Sequence, residues 1–399
     1  MPINIIYTAR KTNECDCPIL KFAHLVKIVY FCSIHIESIM RYMFLTIIAT
    51  YLCGNIYIFA RALQSLSGSS AGWKIGLSIL YWMAALALVV SMFVRNVELP
   101  ETLSKGMFTV GSSWLVFTLY MVLALAVTDI ARLFLPIPKS TGFLISSGFT
   151  ACLLIYGHYN YRHPDIRHID IALDKPLQGN PIKVVAISDV HLGNGTGKAQ
   201  LKRYVQTINA QQPDLIVIAG DLIDNSLVPL YQQNMAEELN QLKAPLGIYV
   251  VPGNHEYISG MEACERFFRQ TPLTLLRDTV VTLPNGLQIV GRDDRSNRRR
   301  LPITQLMKKT DPNKPTLLLD HQPYEVAKKD SLGIDIQFSG HTHRGQVWPM
   351  SLLVDNMYEQ SHGYRKWTHS HVFVSSGLSL WGPPFRIGTD SDLAVFTIR

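Results

Sequence analysis

Lys183-Val-Val-Ala-Ile-Ser-Asp-Val-His191 is a short, β-branched apolar run that stops abruptly on two ligand-capable side chains, Asp189 and His191. A run of this length and composition reads as a buried strand. Alternation along an extended chain lets residues two apart point the same way, so Asp189 and His191 can converge on one point. Asp-x-His is common, however, and by itself proves little.

The pattern repeats downstream. Asp214-Leu-Ile-Val-Ile-Ala-Gly-Asp221 is a second apolar strand ending in a carboxylate, and Gly247-Ile-Tyr-Val-Val-Pro-Gly-Asn-His-Glu256 is a third, ending in Asn254 and His255. Thr316-Leu-Leu-Leu-Asp-His-Gln-Pro323 delivers His321, and Ile334-Asp-Ile-Gln-Phe-Ser-Gly-His-Thr-His343 delivers His341 and His343. Five strands thus place oxygen or nitrogen ligands at their carboxyl ends, where open α/β sheets carry their sites.

The series Asp189-x-His191, Gly220-Asp221, Gly253-Asn-His-Glu256, His321 and Gly340-His-Thr-His343 resembles the calcineurin-like metallophosphoesterase superfamily. The likeness covers roughly 163–399, including Val374-Ser-Ser-Gly-Leu-Ser379 and the closing strand from Leu393 to Ile398. Gly340 to Gln346 reads Gly-His-Thr-His-Arg-Gly-Gln, similar to the last motif of membrane-anchored bacterial phosphodiesterases. The resemblance implies an α/β metallophosphoesterase domain of two β-sheets packed face to face, with helices outside.

It also implies a ligand set. One divalent ion (manganese, iron or zinc) would take Asp189, His191 and His343. A second would take Asn254, His321 and His341, with Asp221 bridging the pair. Two ions about 3.5–4 Å apart suit in-line displacement at phosphorus by activated water. His255 reads as the catalytic residue that stabilises or protonates the leaving oxygen, against the plainer reading of a structural histidine. Asp224 and Glu256 read as acceptors orienting the imidazoles. Gly220, Gly253 and Gly340 read as tight turns that aim the ligands. For Arg344, contact with substrate phosphate and a solvated loop remain two open readings.

The rest of the chain bounds the setting. At 399 residues, two parts are expected. The hydrophobic fraction of 48% is high for a soluble enzyme, and the excess lies in the first 160 residues. Four stretches, 42–60, 75–94, 106–128 and 140–161, are uncharged and long enough to cross a hydrocarbon core about 30 Å thick. The last is rich in Gly and Ser. Segment 1–41 is an extension of uncertain role: it is neither a clean signal peptide nor a span, and translation from Met40 or Met43 is one reading of it. The expected division is therefore 1–41, a transmembrane region at 42–161 and a catalytic domain at 163–399.

With the N-terminus inside, eleven basic residues flank the spans on the inner side against four outside, which places the catalytic domain in the cytoplasm of a bacterial inner-membrane protein. The net charge of +7 fits this topology and phosphate affinity, and no specific nucleic-acid partner is expected. Only Cys264 of the six cysteines lies in the catalytic half, so that half forms no internal disulfide.

Near misses exclude rivals. Gly193-Asn-Gly-Thr-Gly-Lys198 lacks the first Gly and the Ser/Thr of a phosphate loop, and His255-Glu-Tyr-Ile-Ser259 lacks the second histidine of a zinc protease. The basic run Arg295-Ser-Asn-Arg-Arg-Arg300 reads as a solvated loop or as a clamp for a polyanion near the membrane. His362, His369 and His371 read as structural rather than metal-binding. Helices are expected at 197–211, 228–242, 261–270 and 302–310. The function expected is phosphodiester, phosphomonoester or pyrophosphate hydrolysis, with a lipid-linked substrate attractive and the oligomeric state open. The alternatives are a catalytically silent membrane sensor or scaffold, and a nuclease.

Overall fold

The computed structural model describes Tyr42 and residues 45–93, 100–179 and 181–399. The segment 1–41 and the alternative starts Met40 and Met43 lie outside the described residues. Compact units divide between Tyr57 and Ile58; the first holds the opening turns of helix α1, and the second everything from Ile58 onward.

Four helices are long and apolar enough to cross a membrane: α1 (Leu45–Ser65), α2 (Ala71–Phe93), α3 (Glu101–Ala131) and α4 (Lys139–Arg162). The sequence ends the first span at Arg61, yet the helix runs past it. Asp129 on α3 pairs with the Arg61 guanidinium, so this charge is matched inside the bundle. Gly111 lets α3 approach α2 closely, since a Cβ there would meet the Leu88 backbone. On α4 the buried positions include Gly142, Ser146 and Thr150, one per turn, and Ser146 Oγ lies 3.2 Å from Thr128 Oγ1 of α3. The Gly and Ser content of this helix is therefore its packing seam; small residues allow close contact where lipid supplies no hydrophobic drive between helices.

After α4 the chain forms two six-stranded sheets. The first runs β1 (Asp165–Ile171), β12 (Asp392–Ile398), β2 (Ile182–Ile187), β3 (Leu215–Ala219), β4 (Ile248–Val251), β5 (Leu273–Leu275). The second runs β10 (Gly363–Lys366), β11 (His371–Val374), β9 (Ile336–Ser339), β8 (Thr316–Leu319), β7 (Gln288–Gly291), β6 (Thr279–Thr282). β2 through β5 are mutually parallel, as are β7, β8, β9 and β11.

Strict alternation builds the layers. Val184, Ala186, Val217 and Ala219 face Leu317, Leu319 and Phe338 across the gap between the sheets. Val185, Ile187, Ile216 and Ile218 turn outward under the helix Lys198–Ala210 and its neighbours. Both faces of the central strands are buried, which is why they read as continuous apolar runs. The helix expected over 228–242 is instead two short ones, Val228–Gln232 and Met235–Leu239. Asn234 between them is left-handed (φ 48°), a conformation asparagine tolerates and a continuous helix excludes.

Candidate metal centre

β2, β3, β4, β8 and β9 all end at one edge of the sandwich, and the chain immediately beyond each carries a candidate ligand. The loops turn sharply: Asp189, His191, Asp221, His341 and His343 all have positive φ, between 46° and 73°. Each such residue stores of order 1–3 kcal/mol of backbone strain, which persists only where the surroundings over-determine it. Such strain clusters at functional sites.

Three groups of side chains gather there, each with its ligand atoms within 4.8 Å of one another: Asp189, His191 and His343; Asp221, His321 and His341; and His191, Asp224 and His255. In the first, the Nε2 atoms of His191 and His343 are 3.1 Å apart, and Asp189 Oδ1 lies 3.8 and 3.4 Å from them. In the second, His321 Nε2 is 3.2 Å from both Asp221 Oδ2 and Asn254 Oδ1. Asp221 Oδ2 is also 3.8 Å from His191 Nε2, so this carboxylate lies between the two groups.

The two imidazole nitrogens facing at 3.1 Å can share only one proton between them and leave Asp189 without a share in it, whereas a divalent cation among the three would engage every one of these donor atoms. The donor set, imidazole nitrogen with carboxylate and amide oxygen, suits zinc, iron or manganese. The residues thus fit a pair of divalent ions.

The electrostatics divide the histidines: against the effect of burial, Asp221 holds His321 well above the usual histidine range, while two others are held low. Burial and the neighbouring His191 hold His343 well below the usual histidine range, and burial with His321 brings His341 down to about 4. Both are therefore neutral, the form that binds metal. Burial opposes the ionisation of Asp221, but the adjacent His321, His191 and His255 outweigh it and hold the carboxyl below its ordinary range.

The glycines work through space more than through turns. Only Gly220 of the three has positive φ (79°). A Cβ on Gly253 would overlap Asp221 Oδ1, and one on Gly340 would overlap Asp189 Oδ2 and Ser188. The carboxylates need that room.

Asp224 Oδ1 faces Nδ1 of both His191 (3.5 Å) and His255 (3.2 Å). Glu256 acts differently from the sequence-based expectation. Its carboxylate accepts from the backbone N–H groups of Asp221 (3.0 Å), Ile223 (2.9 Å) and Gly253 (2.7 Å), so it braces two ligand loops and orients no imidazole. Burial and the charge of Asp221 push Glu256 up to about 7, against the pull of its backbone donors. Arg344 is half-buried, left-handed, and has its Nε 3.9 Å from Asp355. His371 shares a hydrogen bond with Tyr364 and His362 lies by Asp355; among the described residues, neither they nor His369 joins a metal-capable group.

Residues with no motif also shape the site. Arg386 is fully buried and donates to the carbonyls of His343 (2.7 Å), Ser379 (3.2 Å), Gly377 (3.3 Å) and Ser376. Its one sequence signal is a lone charge in Pro383-Pro-Phe-Arg-Ile387. Trp381 stands 6.2 Å from the His255 ring, centroid to centroid.

The family model described as calcineurin-like phosphoesterase matches residues 182–345. A protein of Helicobacter pylori named as an uncharacterised metallophosphoesterase is 35% identical over 266 residues, covering 64% of this chain and 70% of that one. One of the same description from Campylobacter jejuni is 26% identical over 363 residues, 86% of this chain and 95% of its own. A Danio rerio protein named transmembrane protein with metallophosphoesterase domain is 27% identical over 383 residues, 87% of each chain. The last two alignments are longer than the sandwich and take in the helical region.

Proposed function

We propose that this chain, which belongs to the calcineurin-like metallophosphoesterase family, is a membrane-anchored hydrolase of phosphodiester, phosphomonoester or pyrophosphate bonds. Residues 42–161 serve as the anchor and 163–399 as the hydrolase. The reading is carried by one observation: Asp189, His191, Asp221, Asn254, His321, His341 and His343 come together from five strand ends in a geometry that leaves their donor atoms facing one another.

Two divalent ions held there would supply positive charge to the phosphoryl oxygens and make water a stronger acid. Asp189, His191 and His343 would hold one ion and Asn254, His321 and His341 the other, with Asp221 placed to serve both. Asp224 fixes the ring orientation of His191 and His255 through their Nδ1 atoms. With Nδ1 so engaged, His255 presents Nε2 to the leaving oxygen and gives it a proton. Glu256 keeps the Asp221 and Gly253 loops in register. Arg344 is the remaining candidate for a substrate contact. The loop charges favour a cytoplasmic catalytic domain on a bacterial inner membrane.

The test is hydrolysis of bis-p-nitrophenyl phosphate and p-nitrophenyl phosphate after chelation and metal add-back. Turnover restored by manganese, iron or zinc is expected, and the diester-to-monoester ratio assigns the bond type. A folded, metal-loaded protein that hydrolyses neither would favour the sensor or scaffold.

A further inference from the structure

A short amphipathic helix, Met350–Met357, begins seven residues after His343 and packs against the turn that carries that histidine. Its Met350 carbonyl lies where a Cβ on Gly345 would have to go. Met350, Leu353 and Met357, at i, i+3 and i+7, form one face, and all three are exposed (38%, 61% and 67%), as is Leu352. The opposite side holds buried Ser351, together with Asp355, which accepts from Ser361. Two half-exposed tryptophans flank this strip: Trp348 at the head of the helix and Trp381 beside His255. Gln346 donates to the Trp381 carbonyl (2.8 Å), so the two tryptophan loops are tied together. An apolar strip with aromatic flanks next to a polar catalytic cleft calls for a partner.

The same segment runs into the membrane bundle. Tyr120 of α3 donates to the Trp348 carbonyl (2.6 Å), and Val347, Phe385 and Ile387 pack with Val116 and Tyr120. Leu153 and Leu154 of α4 join that cluster, and Gly157 has only enough room for Ile387. The docked loop thus meets the spanning helices themselves, at Val116 and Tyr120 of α3 and Leu153 and Leu154 of α4, so the strip that follows it starts beside the bundle. Beyond the far end of the short helix, Tyr358 contacts Tyr324 (hydroxyls 3.3 Å apart), and Arg295 stacks on Tyr324 at 4.2 Å. The exposed Arg295 and Arg298 thus continue the strip with positive charge, as a phosphate-rich headgroup layer would require.

We propose that Trp348, the helix Met350–Met357 and Trp381 form an interfacial element that lies in the bilayer's headgroup layer and seats the mouth of the metal centre on it, so that the phosphate ester hydrolysed is one carried by a membrane lipid. The substrate class rests on the hydrolase reading above; the seating on the bilayer does not.

Both parts are tested on the full chain in phosphatidylcholine–phosphatidylglycerol nanodiscs. A nitroxide on Leu353→Cys is expected to be accessible to oxygen and shielded from a water-soluble nickel chelate, while one on Val228→Cys, exposed elsewhere on the domain, shows the reverse. Equal water access at the two positions overturns the seating. For the substrate, dodecyl p-nitrophenyl phosphate dissolved in the disc is compared with methyl p-nitrophenyl phosphate in solution. Wild type is expected to favour the dodecyl ester at least tenfold in kcat/KM, and Leu353→Asp/Met357→Asp to lose that preference while keeping turnover of the methyl ester. Equal kcat/KM in wild type, or a preference intact in the double variant, overturns the lipid substrate. No hydrolysis of either ester would instead refute the hydrolase reading, with the nitroxide result still deciding the seating.

Discussion

Asp224 Oδ1 stands 3.2 Å from Nδ1 of His255, and the same oxygen is 3.5 Å from Nδ1 of His191. One carboxylate therefore faces both a candidate ligand and the candidate proton donor. Asp224→Ala is expected to lower both metal affinity and kcat by about 10–100-fold, the usual effect of removing such an outer partner. Metal titration alongside steady-state kinetics checks it; a change in kcat alone would mean that the contact with His191 has no role.

His255→Ala should separate chemistry from metal binding. It is expected to cost about 10²–10⁴ in kcat on a diester with an alkyl leaving group, and much less on one releasing p-nitrophenolate, which needs no proton to depart. Metal content should stay at the wild-type level. Equal losses on both leaving groups would assign His255 a structural role.

Gly340→Ala is expected to keep the fold and lose metal, because the new methyl would occupy the space of the Asp189 carboxylate. Gly286→Ala, at an open turn with positive φ (92°), is the contrasting case: it pays only the strain of that turn, of order 1–2 kcal/mol, and keeps full metal content. Metal analysis of the two folded variants decides the point.

Arg386→Met is expected to destabilise the catalytic domain by about 3–5 kcal/mol, since it leaves buried carbonyls around His343 and Gly377 without donors. Chemical denaturation followed by a domain-specific signal checks the loss. Arg386→Lys should recover only part of it, because an ammonium cannot reproduce the planar fork that serves four carbonyls.

Much of this site was legible in the sequence because strand and ligand are adjacent there: an apolar β-branched run ending in Asp, Asn or His states both the element and its cargo. Glu256 was misread because its partners are backbone N–H groups, which carry no residue identity. Gly253 and Gly340 were read as turns, whereas their backbones are ordinary and what matters is a carboxylate that only the folded chain brings against them. Arg386 lies outside every ligand motif and meets His343 only through tertiary packing. The bundle shows the same division: length and apolarity gave four spans, but the pairing of Arg61 with Asp129 that carries α1 past its first charge is a contact between distant segments. The helix strip has no signature in the sequence, because eight residues with four exposed apolar side chains look like any surface helix until Trp348, just before them, is seen to dock on α3.

The central claim is that one site holds two metal ions bridged by Asp221, and it is tested most directly by metal stoichiometry measured together with turnover. Elemental analysis of purified wild type, loaded with manganese or zinc and freed of excess, is expected to give about two ions per chain, and Asp221→Ala no more than one, with hydrolysis of bis-p-nitrophenyl phosphate abolished. A well-folded wild-type protein that binds no ion, or an Asp221→Ala variant that keeps two ions and full turnover, would contradict the account.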